Sequence, residues 1–176
     1  MKPNSSLLFV MAVLLVVSPA AFGQFAATGT TNITVGVQAE AAIQVDTATT
    51  PLTSVGLFAD YTGTTSFTYK IRTTKTGGTG AITAQVTTNF TGAAGGSGPS
   101  VANGVLTYGC TVSAPGSPCS GSVTASTSTT SVATFLANAR SAKAGNSGSV
   151  AWALENDPQY ETDNYTAVVT FSISAL

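Results

Sequence analysis

Along residues 32–46 apolar and polar side chains alternate, with Ile33, Val35, Val37, Ala39, Ala41, Ile43 and Val45 on odd positions and Asn32, Thr34, Gln38, Glu40 and Gln44 on even ones. A period of two sends the two sets to opposite faces of a β-strand, one packed and one wet. The same phase returns in Phe67, Tyr69 and Ile71, and in Ile82, Ala84 and Val86 leading to Phe90. It returns again in Leu106, Tyr108, Cys110 and Val112, in Val150, Trp152 and Leu154, and in Tyr165, Ala167, Val169, Phe171 and Ile173. Residues 132–136 read as a further strand and residues 55–58 as a short edge strand. Residues 137–146 fit either a loop or a helical turn. Gly77-Gly78 and the Gly- and Ala-rich residues 92–98, closed by Pro99, supply turns and loops, and no segment has an amphipathic helical period. The expected architecture is all-β, an antiparallel Ig-like β-sandwich of about eight or nine strands.

The opening run is too long for one sandwich strand. It would span about 45 Å, whereas strands usually hold about 5–6 residues. Gly36 can bend it, or it can serve two sheets in succession, or its first half can leave the domain and pair with another chain through Ile33, Val35 and Val37. Pairing within its own sheet is the simplest of these expectations, because a single domain can use the strand.

Lys2, the apolar residues 7–17 and the small-x-small site Ala21-Phe22-Gly23 mark residues 1–23 as a secretory signal peptide, which leaves residues 24–176 as one β-sandwich domain. The expected destination is the periplasm, the cell surface or the extracellular space. No apolar run reaches the roughly 20 residues that a membrane span requires. Charged residues make up only 7% of the chain, and without Lys2 five basic side chains face seven acidic ones. Such a balance offers no basic patch to neutralise a phosphate backbone, so nucleic acid is not an expected partner. A surface so poor in charge resists self-association weakly.

Catalytic chemistry has few carriers here. The chain has no His, and an exported chain is expected to bond its two cysteines, Cys110 and Cys119, across a loop that contains Pro115, Gly116 and Pro118. This reads as a staple on the tip of a hairpin. No Ser or Thr stands in a recognisable nucleophile motif, so an enzyme is not expected, and neither is a cofactor. Glu155, Asp157, Glu161 and Asp163 concentrate hard oxygen ligands between two strands. They form either a Ca²⁺ loop or a solvated connection, and the spacing matches no EF-hand. Tyr61 and Tyr160 fall outside the apolar phase and are the candidate aromatics for a glycan.

Residues 34–39, Thr-Val-Gly-Val-Gln-Ala, followed by Ala42-Ile43 and Pro51-Leu52, resemble the opening of secreted bacterial pilin-like proteins, and residues 165–171 are similar to their last strand. Those proteins include chaperone-usher fimbrial subunits and the spore coat protein U type. Where they place a Cys in the first strand, this chain has Ala41 and Ala42. The resemblance implies a fimbrial-like structural or adhesive protein of the surface, whose partners are itself or related subunits joined by strand pairing. An extracellular carbohydrate-binding module, with a surface glycan as ligand, is the alternative expectation.

Overall fold

The computed structural model describes residues 28–92 and 97–176, so the expected signal peptide, residues 1–23, lies outside the described residues. Residues 28–35 carry no regular secondary structure and are exposed throughout. The compact unit is Gly36–Leu176.

Among the described residues nine strands build that unit: β1 (Glu40–Val45), β2 (Tyr61–Arg72), β3 (Gly80–Gly92), β4 (Leu106–Val112), β5 (Ser117–Pro118), β6 (Val123–Thr124), β7 (Thr130–Phe135), β8 (Asn146–Leu154) and β9 (Tyr165–Ala175). They form two antiparallel sheets, one of five strands ordered β1-β2-β8-β4-β6 and one of four ordered β5-β7-β3-β9. After the β1–β2 connection, every link in the chain passes from one sheet to the other. The β-sandwich expected from the alternation is therefore the observed fold.

Side-chain phase decides which residues meet. Phe67, Tyr69, Ile71, Ile82, Val132, Val150 and Trp152 turn inward from facing sheets and are buried, as period-two strands require when one face packs. Trp152 lies 5.1 Å from Tyr108 and 6.5 Å from Phe171 between ring centroids, and Phe67 lies 5.9 Å from Phe171. The aromatic rings thus bridge both sheets, where each adds a large apolar area to the core.

Three expectations need correction. Residues 55–58 form a turn-rich loop rather than an edge strand, with Val55, Leu57 and Phe58 exposed. Their apolar sequence mimics a strand, but the bridge Thr53↔Thr62 closes the chain around them and leaves them no partner. The disulfide Cys110–Cys119 forms, with a Cα separation of 5.5 Å, and bridges the loop of the antiparallel β4–β6 pair as expected, but that loop passes through the other sheet, so the hairpin staple has a wider reach than expected. Cys110 belongs to β4 of the five-stranded sheet, whereas Cys119 follows β5 and donates its N–H to Val132 O in the four-stranded sheet. The bond therefore ties one sheet to the other.

The third correction concerns the opening run, of which only Glu40–Val45 is strand. Glu40 pairs with Arg72, the last residue of β2. Past Arg72 the backbone is engaged elsewhere, Thr73 N–H with Ala139 O and Thr74 N–H with Leu176 O. Residues before Glu40 have no edge left to join, so the expected pairing of the whole run inside its own sheet does not occur. Residues 137–145 are a loop, bridged to β2 through Arg72↔Arg140, and Asn146 already begins β8.

Candidate functional site: an open edge between the sheets

The two sides of the sandwich are built differently. On one side the sheets end in β5 and β6, two residues each, and Pro118 in β5 has no N–H to offer a neighbour. The Cys110–Cys119 bond closes the same side. On the other side the sheets end in β1 and β9, each hydrogen-bonded to a single neighbour. β9 runs for eleven residues, YTAVVTFSISA, with no charge and no proline. A long edge strand without charge or proline is a template for another strand, even though its ladder with β3 shifts register between Val86 and Thr88 and between Thr88 and Thr91.

Burial marks the same side. The inward positions of β2 and β8 are largely buried, but those of β9, Ala167, Val169, Phe171 and Ile173, stay half-exposed although they pack on the core. Ala41 and Ile43 of β1 are half-exposed in the same way. β1 and β9 approach each other within 8 Å between Cα atoms yet exchange no backbone hydrogen bonds. A strand bonded to both would need about 9.6 Å, twice the usual spacing, so admitting one requires the edges to part slightly. What the arrangement offers is an apolar seam flanked by two rows of unpaired main-chain groups.

The candidate donor residues stand free of any sheet. Ile33 is 91% exposed, Val35 83% and Val37 62%, and none of them belongs to a strand. Arg72 Nε donates to Gln38 O at 2.7 Å and its Nη2 to Glu40 at 3.1 Å, which fixes the point where the chain enters β1.

The other candidates are dispersed. Glu155, Asp157, Glu161 and Asp163 occupy the β8–β9 connection, where Asp157 Oδ1 accepts from Gln159 N–H and Asp163 Oδ1 from Asn164 N–H. Among the described residues no three carboxylates or cysteines converge into a metal-ligand set. Tyr61 opens β2 and packs against the core, and Tyr160 lies in the acidic connection. Burial, together with the Asp157 and Glu155 carboxylates, holds the Tyr160 phenol above its ordinary range. Neither ring joins an aromatic pair among the described residues, and neither lines the cleft of about 500 Å³ beside Phe90, Pro99 and Tyr165. The residues that line that cleft carry no charge, and the Asp163 carboxylate lies beside Gly92 at its rim.

No helix among the described residues is long and apolar enough to cross a membrane. No protein-family model, curated protein or solved structure matches the chain. The alternation of residues carried no signal of the β1/β9 edge, because an edge strand and a central strand alternate alike. The one readable hint was the absence of charge and proline from residues 165–175.

Proposed function

We propose that this chain is an exported, non-catalytic structural protein of the cell surface, fimbrial-like in kind, whose copies associate by strand addition. Residues 32–39 of one copy serve as donor, with Ile33, Val35 and Val37 as anchors, and the seam between β1 and β9 of the next copy is the acceptor. The observation that carries this reading is the coexistence, in one chain, of an unpaired alternating segment and a long, uncharged, half-covered edge strand. Each has what the other lacks. Main-chain bonds along the edge would provide affinity, and each aliphatic anchor fully buried would contribute about 1.5–3 kcal/mol before the ordering of the segment is subtracted.

The test is the oligomeric state of residues 24–176 by light scattering, beside thermal melts of the monomer. Multimers lost in Val35→Asp while the melting point of the monomer holds are the expected result. The reading is wrong if the unaltered chain stays monomeric at high concentration and Val35→Asp destabilises that monomer.

A further inference from the structure

The five basic side chains of the described residues all lie at one end of the sandwich. Lys70 and Arg72 end β2, Lys75 follows in the β2–β3 turn, and Arg140 bridges back to Arg72. Lys143 stands two residues before Gly145, where a Cβ would lie 3.7 Å from Lys70 Cε. Of the acids only Glu40 is at this end, bonded to Arg72, and the carboxyl group of Leu176 lies there beside Thr74. Asp46 sits midway, accepting from Thr68 of β2.

The opposite end is acidic. Asp60 immediately precedes β2, Glu155 immediately follows its antiparallel neighbour β8, and Asp157, Glu161 and Asp163 continue into β9. β2 separates the two ends by about 36 Å, beyond a Debye length at physiological salt. The molecule is therefore polarised along its strands.

Apolar side chains are exposed at both ends. At the acidic end the loop before Asp60 presents Val55, Leu57 and Phe58, of which Leu57 is 98% exposed. This loop is held in shape: Ser54 Oγ donates to Ala59 O at 2.6 Å, and Asn156 Nδ2 donates to the same carbonyl at 3.1 Å. Phe58 sits at φ 52°, a left-handed conformation that a bulky side chain rarely adopts, and it remains exposed there. At the basic end Leu136 and Leu176 are exposed, linked through Thr73 and Thr74 of one backbone segment.

We infer that the Val55, Leu57 and Phe58 tip of one copy, with its acidic surround, docks on the basic end of a second copy around Leu136 and Leu176. Opposite charge and apolar area coincide on the two surfaces, and each end is self-repelling. Copies therefore meet head to tail, a heterologous contact that repeats into an open filament. The chain enters β1 at Glu40, on the basic end, so a segment leaving there begins at the junction with the neighbour. This inference rests on the reading that copies of the chain associate, but not on strand addition.

A charge swap tests it on residues 24–176, with association followed by sedimentation and by light scattering. Arg140→Glu with Lys143→Glu removes the basic character of one end, and Asp157→Lys with Glu161→Lys removes the acidic character of the other. Each double variant is expected to associate at least about tenfold more weakly than the unaltered chain at low salt, and an equimolar mixture of the two to recover association. The interaction should weaken between 0.01 M and 1 M salt, as the screening length falls from about 30 Å to about 3 Å. Leu57→Ser should weaken it at every salt concentration. Association untouched by either swap, no recovery in the mixture, or a chain monomeric throughout overturns the inference. Val35→Asp separates the two readings: head-to-tail association that survives it leaves this contact standing and removes strand donation.

Discussion

Trp152 Nε1 donates a hydrogen bond to Thr65 Oγ1 at 2.9 Å, and Thr65 Oγ1 in turn lies 2.6 Å from Thr50 Oγ1. Both members of the first pair are buried, so the indole N–H has no access to water and depends on this one hydroxyl. The chain of three residues also ties the segment ahead of β2 to the core.

Thr65→Val keeps the shape of the side chain and removes the acceptor. A buried donor left unsatisfied costs about 1–3 kcal/mol, and that is the loss expected in urea denaturation. Thr65→Ser should retain most of the stability. Equal losses in the two variants would locate the effect in packing instead of in the bond to Trp152.

Much of this core was legible before the fold was known. Phe67, Tyr69, Val150 and Trp152 were assigned inward by phase alone, because a period of two leaves no other face for them. The partners of Trp152 were not legible, since Thr65 lies on a strand whose register with β8 is set by long-range pairing. Residues 55–58 misled for a related reason: apolar character normally reports burial, and here the loop carries it into solvent. The unpaired state of residues 32–39 depends on β2 ending at Arg72, a fact about another strand.

The disulfide is expected to stabilise without being essential. Chain-entropy arithmetic for a loop of about ten residues gives about 2.7 kcal/mol. Cys110→Ser with Cys119→Ser should lower the melting temperature and leave the sheet content intact. Because the bond ties β4 to the strand beside β7, hydrogen exchange should rise first at the backbone N–H of position 119, which Val132 O holds, and least at β2 and β8. Uniform loss of protection would instead make the bond a support for the whole core.

Alkaline pH provides an independent probe of the packing. Burial raises the phenol of Tyr69 above its ordinary range, outweighing its bond with the Gly116 N–H, and burial likewise raises Tyr108 against its bond to Thr130. Above the ordinary phenol pKa, about 10, the unfolded chain ionises while the folded one still holds these protons. The folded state then binds more protons than the unfolded state, so stability is present below that pH and falls as pH rises through it. Urea titrations at increasing pH should show this decline, and Tyr108→Phe should make it shallower. A stability independent of pH in this range would mean that both phenols ionise freely in the native state.

The donor and acceptor surfaces can be separated by supplying one of them as a peptide. A chain lacking residues 24–38 retains Glu40–Val45 and so keeps β1 and every strand of both sheets, with the seam beside β9 empty. If that seam receives residues 32–39 of a neighbour, a peptide of residues 28–39 binds the folded form alone and stabilises it by mass action, about 2.7 kcal/mol at one hundred times its Kd. The melting temperature should climb with peptide concentration and level off only slowly, since the stabilisation grows with the logarithm of free peptide. Val35→Asp in the peptide would bring a charge against Val169, Phe171 or Ile173, where nothing basic lies on β9 to pair with it, and should abolish the shift. Val168, which is exposed on the outer face of β9, provides the internal contrast: Val168→Asp in the truncated chain leaves the inward face intact, whereas Val169→Asp places the charge in the seam itself. Peptide stabilisation that survives Val169→Asp would place the docking surface somewhere other than this edge.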